Sequence, residues 1–424
     1  MEFRNLTPFR ALCFPALDPA DREHRVVAMR VCYALEPGTP GGAPGWATAR
    51  VVDVEPPPLV LADRHAGEAG RSSTLQESDL APYKPCCDVL VRGAAHAPGG
   101  KPATRWTAGL RVSRPRRSEA EKDAVAVDLL VNKELSVCGP RTFRRTWSGG
   151  WELQPALPTA SVPLRYERAF GGASEVRDPG SRPEDPPLLS EVCYQNPIGC
   201  GWQDGREMSL LARTGQPLPE HLPAPQLEAP GDPIKGMFVT EQQRGPLSPS
   251  QMLSLARREP HSPAGFGPLG RAWTPRLQRA GTYDDTWLRD RWPGLPADFD
   301  FEYWSCAPSD QKIPYPPPGL VIELVNLAPP SAAPGGYLAV QLPRHRPFVL
   351  VRLRSGAILP LPMLTDTVDI DTASLQIHLV HRISIPSKLD VRVLEARMEV
   401  NPEAPLVTLK KRGAMARSAG EAHG

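Results

Sequence analysis

Proline and glycine interrupt this chain so often that long regular elements have little room in it. The 424 residues include 52 prolines and 35 glycines, about one residue in five, whereas the two together make up roughly 12% of an average protein. Proline lacks a backbone N–H and is excluded from helix interiors and from central strands. The composition therefore predicts short elements that are joined by many rigid loops.

The rest of the composition describes a folded protein without a strong global charge. Apolar residues make up 41% of the chain and include nine tryptophans, which is enough for a sizeable core and argues against disorder. The 49 Lys and Arg and the 47 Asp and Glu leave a formal net charge of only +2. We therefore expect neither nucleic acid nor an acidic membrane surface as a partner.

The cysteines and the termini indicate a reducing compartment. Eight cysteines in a chain of this length form neither a dense disulfide framework nor a C-x2-C zinc motif. The N-terminal sequence MEFRNLTPFRALCF has no apolar run of signal-peptide length. No stretch reaches the roughly 18 apolar residues of a transmembrane helix. The expectation is a cytoplasmic protein without membrane insertion.

Short apolar runs that end in turn residues predict strands in both halves of the chain. These runs cover residues 25–35, 49–54, 87–92, 105–113, 125–131, 134–138, 319–327, 348–353, 357–361, 366–382 and 390–398. Ser248 followed by Pro249 is the clearest helix start, and residues 155–235 are predicted to be loop-like. We predict a mainly β protein of antiparallel sandwich or barrel-like units, with long Pro/Gly-rich ordered loops and few short helices.

The sequence KIPYPPP at residues 312–318 suggests a boundary between two parts, because proline-rich stretches often separate domains. Residues 1–311 would form a β-rich domain with long loops. Residues 319–400 would form a C-terminal β-rich region that either stands alone or shares the same sheet. Residues 410–424 are polar and are expected to fray.

The sequence contains no pattern that points to catalysis. It has no G-x-S-x-G motif and no phosphate-binding loop. Asp284 and Asp285 fit capping turns better than an acid/base pair. His378 and His381 are three apart in a predicted strand and should face opposite sides of it. We therefore predict a protein without catalytic residues, metal or cofactor.

Segments that combine glycine with aromatic residues are the most informative feature. They are YERAFGG at 166–172, NPIGCGW at 196–202, PAGFGPLGRAW at 263–273 and the longer stretch 280–311. Their rings can tuck into the core and hold loops in place, or the ordered loops can present a rigid surface to a partner. The candidate structural or interaction residues are Tyr166, Phe170, Gly171, Gly172, Asn196, Trp202, Phe266, Trp273, Tyr283 and Trp287.

Two expectations follow for these segments. Most of the rings of Phe170, Phe266, Trp273, Tyr283 and Trp287 should be buried. The neighbouring glycines Gly171, Gly172 and Gly267 should include positions with positive φ, where a Cβ would be strained.

The same segments, in this order, resemble the domain-of-unknown-function 2169 family (DUF2169). The resemblance starts with NLTPF at Asn5–Phe9 and includes ESDLAPYKPCCDVLVRGAAHAP at Glu77–Pro98. DTVDID at Asp366–Asp371 is similar but less distinctive. The resemblance implies a bacterial cytoplasmic protein of type VI secretion, an adaptor or chaperone that binds a secreted effector and helps to load it onto the spike or tip protein. It implies no catalytic residues.

Two other functions remain as alternatives. The chain could be an uncharacterised enzyme or toxin, in which case a deep pocket with converging titratable residues is expected. It could also be a structural component of the spike that is itself exported.

Overall fold

The computed structural model describes residues 1–18, 20–38, 44–114, 129–241 and 247–407. Strands make up 41% and helices 10% of it, with four α-helices in the described part. The predicted mainly β class is therefore confirmed. No helix in these ranges is long and apolar enough to cross a membrane.

Most elements are short, as the proline and glycine content predicts. The first twelve strands are β1 (Glu2–Asn5), β2 (Arg10–Leu17), β3 (Glu23–Pro37), β4 (Trp46–Val51), β5 (Arg64–His65), β6 (Thr74–Gln76), β7 (Cys87–Arg92), β8 (Ala94–His96), β9 (Arg105–Ser113), β10 (Leu129–Cys138), β11 (Thr142–Arg145) and β12 (Trp151–Leu153). The middle of the chain contains β13 (Ser161–Pro163), β14 (Phe170–Gly171), β15 (Ala173–Val176), β16 (Leu189–Val192), β17 (Cys200–Asp204), helix α1 (Glu207–Arg213), β18 (His221–Pro223), β19 (Leu227–Glu228) and β20 (Phe238–Thr240).

Three helices and eight strands follow. They are α2 (Pro249–Ala256), α3 (Thr274–Leu277), α4 (Asp285–Asp290), β21 (Lys312–Ile313), β22 (Val321–Val325), β23 (Tyr337–Gln341), β24 (Arg346–Leu353), β25 (Ile358–Pro362), β26 (Leu364–Asp371), β27 (Gln376–Pro386) and β28 (Val391–Glu399). Single 3-10 turns lie at Pro98–Gly100, Tyr166–Arg168, Phe301–Trp304 and Ser309–Gln311.

Local sequence signals placed several elements correctly. Strands β7 and β9 have the predicted bounds. Helix α2 starts where it was expected, and Ser248 and Gln251 form a capping box. The prediction for residues 155–235 was only partly right, because short strands and helix α1 lie within this region. Part of the strand predicted at 125–131 lies outside the described residues.

A twelve-stranded sheet dominates the fold. Its strands follow the order β19-β10-β9-β22-β23-β4-β3-β27-β26-β7-β21, and β2 pairs with the first half of β3. Most pairings are antiparallel, but β4 with β23 and β7 with β26 are parallel. Strands from both sides of residues 312–318 are thus direct neighbours in one sheet. The proposed domain division itself stays a prediction.

The main core lies between this sheet and a second, four-stranded one. The second sheet has the order β1-β28-β24-β25. Side chains alternate along a strand, so Met29 and Val31 of β3 meet Val349 and Leu394 of the second sheet's strands in one apolar cluster. The opposite face of the large sheet carries polar and charged side chains, including Arg30, and is covered by loops.

Candidate functional site

A buried cluster of ion pairs occupies the polar face of the large sheet. Arg30 is 4% exposed and contacts Asp79 at 3.1 Å and Asp369 at 3.2 Å. Arg92 contacts the same Asp369 at 3.1 Å and also pairs with Asp371. Strands β3, β26 and β7 of the large sheet carry these groups, with β27 between β3 and β26, while Asp79 comes from the loop that covers the sheet.

A second set of charges fastens that loop and the segment near residue 306. Lys84 lies 2.8 Å from Asp88, whose carboxylate also accepts a hydrogen bond from the backbone N–H of Cys306 at 2.9 Å. Arg382 pairs with Asp366 at 2.5 Å and donates to the carbonyl oxygen of Asp79 at 2.9 Å. The segments Glu77–Pro98 and Asp366–Asp371, which both belong to the family resemblance, therefore meet here.

Burial and ion pairing act in opposite directions on these carboxyl groups. Burial raises the pKa of Asp79 above its usual value, because it outweighs the contact with Arg30. Burial also acts to raise the pKa of Asp369, but Arg92 and Arg30 outweigh it and hold that pKa below the usual value. In the folded protein both carboxylates are paired with arginines, and these ion pairs attach the loop around Asp79 to the large sheet.

The space inside the cluster is too small for a substrate. A cavity of about 20 Å³ lies between Arg30, Gln76 and Lys84, which is room for about one water molecule. Sequence analysis missed the cluster, although one signal was present. Arg30 and Asp369 interrupt apolar strands, and charges in buried strands require partners.

The glycine-aromatic segments form a second, densely packed region. The Asn196 side chain donates from Nδ2 to the carbonyl oxygens of Tyr166 and Phe170, both at 2.9 Å. The Tyr166 hydroxyl donates to the Gly267 carbonyl at 2.9 Å, and its ring meets Trp273 edge-on at 5.0 Å. Three of the segments therefore hold one another in place.

Most of the candidate residues in these segments are buried. The buried ones are Tyr166, Phe170, Gly171, Gly172, Asn196, Trp202, Phe266 and Trp273. Gly171 and Gly172 have φ of 150° and 146°, as expected, but Gly267 has no such φ. A Cβ on Gly171 would overlap the backbone oxygen of Asn196.

Two of the five rings are not buried. Tyr283 is 54% exposed and Trp287 is only partly buried, whereas the other three of the five rings are buried, which agrees with the expectation that most of them are. They belong to the region around the short helix α4, where Asp284 accepts a hydrogen bond from the Trp287 N–H at 2.8 Å. The capping role predicted for Asp284 is confirmed. The two rings pack edge-on against each other at 4.7 Å rather than into the core.

A large open cleft lies where the chain crosses between the two sheets. Its volume is about 830 Å³, and its walls come from four stretches, 315–320, 342–347, 362–365 and 402–406. Seven prolines stiffen these walls: Pro316, Pro317, Pro318, Pro343, Pro347, Pro362 and Pro402. Tyr33, Leu379 and His381 of the large sheet also line it. We call it the proline cleft.

The proline cleft contains two neutral pairs beside the charged side chains Arg114, Arg344, Arg346 and Glu403. Tyr33 Oη lies 3.2 Å from His345 Nδ1, and Thr365 Oγ1 lies 3.1 Å from His381 Nδ1. Burial lowers the pKa of His345 and lowers that of His381 to about 3, so His381 is neutral and weakly basic at pH 7. His378 lies on the other face, since it pairs with Asp369 across β26 and β27. The two histidines thus face opposite sides, as predicted.

The sequence did not point to this cleft. The PYPPP stretch by itself predicts only a domain boundary. The walls of the cleft come from segments that are far apart in the chain, so no single stretch indicates it. In the described ranges, no group of three or more His, Cys, Asp or Glu side chains could hold a metal ion. All eight cysteines have free thiols.

These features define a mainly β protein in which two sheets share a core, an ion cluster clamps the covering loops and a rigid cleft stays open. The chain belongs to the family described as an uncharacterized protein conserved in bacteria (DUF2169), which residues 20–382 match. The comparison with curated proteins and that with solved structures gave no match.

Proposed function

We propose that this protein is a type VI secretion adaptor, a non-enzymatic cytoplasmic chaperone that binds a secreted effector and helps to load it onto the spike or tip protein. The observation that carries this proposal is the proline cleft. Its proline-rich walls are rigid before a partner arrives, which lowers the entropy cost of binding. Its leucines and prolines offer an apolar surface, and Arg344, Arg346 and Glu403 on its walls offer charges, a mixture that suits a segment of a protein chain.

The distribution of charge also supports a binding role. The buried Asp, Arg and Lys side chains of the ion cluster pair with one another, and the cavity between them has a volume of only about 20 Å³. The cleft contains neutral histidines beside the charged Arg114, Arg344, Arg346 and Glu403. Because the formal net charge of the chain is only +2, we expect apolar and aromatic contacts to drive the association, and moderate salt should weaken the complex only slightly.

The proposal is tested by deleting the gene and comparing the proteins that the bacterium exports. Export of one toxin should stop, while the secretion machine still releases its other cargo. The tagged adaptor should co-purify that toxin or the tip protein from cells that express all three. Unchanged toxin export together with no co-purifying partner would overturn the adaptor function.

A matched pair of variants tests the cleft itself. Leu364 is 44% exposed on the cleft wall, and Leu364→Glu should reduce co-purification at least tenfold by placing a charge against apolar surface. Leu359 is 38% exposed on β25, outside the cleft, so Leu359→Glu is the control. Equal loss in both variants would exclude the cleft as the binding site.

An enzyme remains the second candidate because of the Thr365–His381 pair, a hydroxyl beside an imidazole. A pKa of about 3 makes His381 a poor base at pH 7, since efficient general bases have pKa values near the working pH. Thr365→Val distinguishes the two functions. It should leave export intact in an adaptor and abolish toxicity in a toxin.

A further inference from the structure

The segment between Thr282 and Asp298 is a compact surface loop whose two ends are joined by hydrogen bonds. Thr282 donates to the Asp298 carboxylate from its backbone N–H at 2.9 Å and from its hydroxyl at 2.8 Å. Inside the loop, the Trp287 indole N–H donates to the Gly294 carbonyl oxygen at 2.9 Å, and the backbone N–H of Trp292 donates to the Trp287 carbonyl oxygen at 3.0 Å. Surface loops that are closed and packed in this way are frequently functional. We call this one the aromatic loop.

The aromatic loop exposes three large side chains to solvent. Tyr283 is 54%, Leu288 is 59% and Trp292 is 65% exposed. Tyr283 packs edge-on against Trp287, so its position is fixed before any partner binds. Single exposed apolar side chains are ordinary, whereas a group of them on one ordered loop is typical of an interaction site. Tyrosine and tryptophan are also the residue types that most often anchor protein interfaces.

The loop is acidic, although the whole chain has a formal net charge of +2. Residues 282–298 contain four aspartates and two arginines. Both arginines are already paired, Arg289 with Asp290 at 2.9 Å and Arg291 with Asp21 at 3.4 Å. Three exposed carboxylates make no ion pair with any residue that the structure describes: Asp284, Asp285 and Asp298.

We propose that the aromatic loop is the docking surface for a segment of another protein in which Lys or Arg alternates with apolar residues. The three carboxylates attract the cations of such a segment, and the exposed rings of Tyr283 and Trp292 offer faces for an ammonium or guanidinium group. Leu288 offers a contact to its apolar side chains. An acidic segment would instead meet three like charges.

This docking surface is separate from the proline cleft, since no residue of the aromatic loop lines that cleft. The inference therefore does not depend on the proposed adaptor function.

The exposed area fits a transient contact. A fully buried aromatic side chain removes about 150–250 Å² from water, so the exposed parts of Tyr283, Leu288 and Trp292 amount to roughly 300–400 Å². The docked segment buries a comparable area. The total lies below the roughly 1,200 Å² at which stable complexes begin, so we expect a weak complex, and one that salt weakens because exposed charges contribute to it.

Fluorescence anisotropy of two labelled peptides with the full-length protein is the first test. One peptide alternates lysine with leucine, and its counterpart has glutamate in place of every lysine. The lysine peptide should bind at least tenfold more tightly than the glutamate peptide, and added salt should weaken it severalfold. Equal affinities for the two peptides would overturn the proposal.

Two variants with matched controls locate the binding. Asp285→Lys reverses an exposed charge and Trp292→Ala removes an exposed ring, and each should weaken the lysine peptide by roughly fivefold or more. The controls are Glu184→Lys, at an exposed acidic residue elsewhere, and Trp147→Ala, at a tryptophan that is 100% exposed. Both controls should bind like the wild type, as should Leu364→Glu in the proline cleft. Binding that Leu364→Glu abolishes and the loop variants retain would place the peptide in the cleft and overturn the proposal.

Photo-cross-linking identifies the contact itself. With p-benzoylphenylalanine in place of Leu288, irradiation should join the protein to the lysine peptide. The same substitution at Leu359, which is 38% exposed on β25, should give no cross-link. Equal cross-linking at the two positions would show adhesion without a defined site and would contradict docking on the aromatic loop.

Discussion

Arg30 occupies the middle of a strand whose other residues are mostly apolar, and it is tolerated there because two carboxylates meet it. An unpaired charge at such a depth would cost several kcal/mol. Asp79 and Asp369 remove most of that cost, and they do so only when the loop around residue 79 lies on the sheet. A charge in this strand thus selects one position for the loop, which an apolar side chain could not do.

Buried histidines should make the protein acid-sensitive. Burial, aided by Arg30, lowers the pKa of His378 to about 4, and burial lowers that of His381 to about 3. The unfolded chain, with histidine pKa values near about 6.5, therefore binds protons that the folded chain does not. Stability is complete above about pH 6.5 and falls as the pH drops. At pH 5.0 each histidine should have removed roughly 2 kcal/mol from the free energy of unfolding, at about 1.4 kcal/mol per pH unit.

Urea unfolding at pH 7.0 and at pH 5.0 measures this loss. His96 and His345, whose pKa values burial also lowers, act in the same direction. His381→Gln should make the difference between the two pH values smaller by roughly 2 kcal/mol, whatever it does to stability at pH 7.0. An unchanged difference would show that His381 is not kept neutral by the fold.

At the scale of the element, local signals were sufficient where one segment determines its own structure. Ser248 and Pro249 located helix α2, and the apolar runs located β7 and β9 to the residue. The same reasoning could not tell that Tyr283 and Trp287 are the two of the five rings that are not buried, since whether a loop ring is buried depends on distant segments. It also missed α1 and the short strands near it, each of which is stabilised by a partner strand or by packing rather than by its own pattern.

The packed loops give a sharp test at Gly171. Its φ of 150° suits glycine, and a Cβ would overlap the Asn196 backbone oxygen. Gly171→Ala should therefore cost about 3–5 kcal/mol, from backbone strain and overpacking together. Gly335→Ala is the control, because its Cβ would have nothing within 4 Å. Equal midpoints of urea unfolding in the two variants would contradict this account of the loops.

For the whole molecule, the sequence predicted the β class but not the sheet order or the cleft. Strands that are neighbours in the sheet can lie far apart in the chain, as β3 and β27 do. The sequence of one strand does not determine which strand it pairs with. Eight of the ten candidate residues are buried in the packed loops. The ion cluster and the proline cleft are assembled from segments hundreds of residues apart, so no local pattern contains them.

The strand order implies that the protein unfolds as one unit. Strands β26 and β27 lie between β7 and β3, and β22 and β23 lie between β9 and β4, so the C-terminal strands cannot leave without dividing the large sheet. All nine tryptophans precede residue 311, and their fluorescence therefore reports mainly on the N-terminal part. Hydrogen exchange of the β24 and β28 peptides reports on the C-terminal part. In a urea series both probes should give the same midpoint, as expected for a cooperative transition. A lower midpoint for β24 and β28 would instead show that the second sheet unfolds before the large one, which would contradict a single cooperative unit.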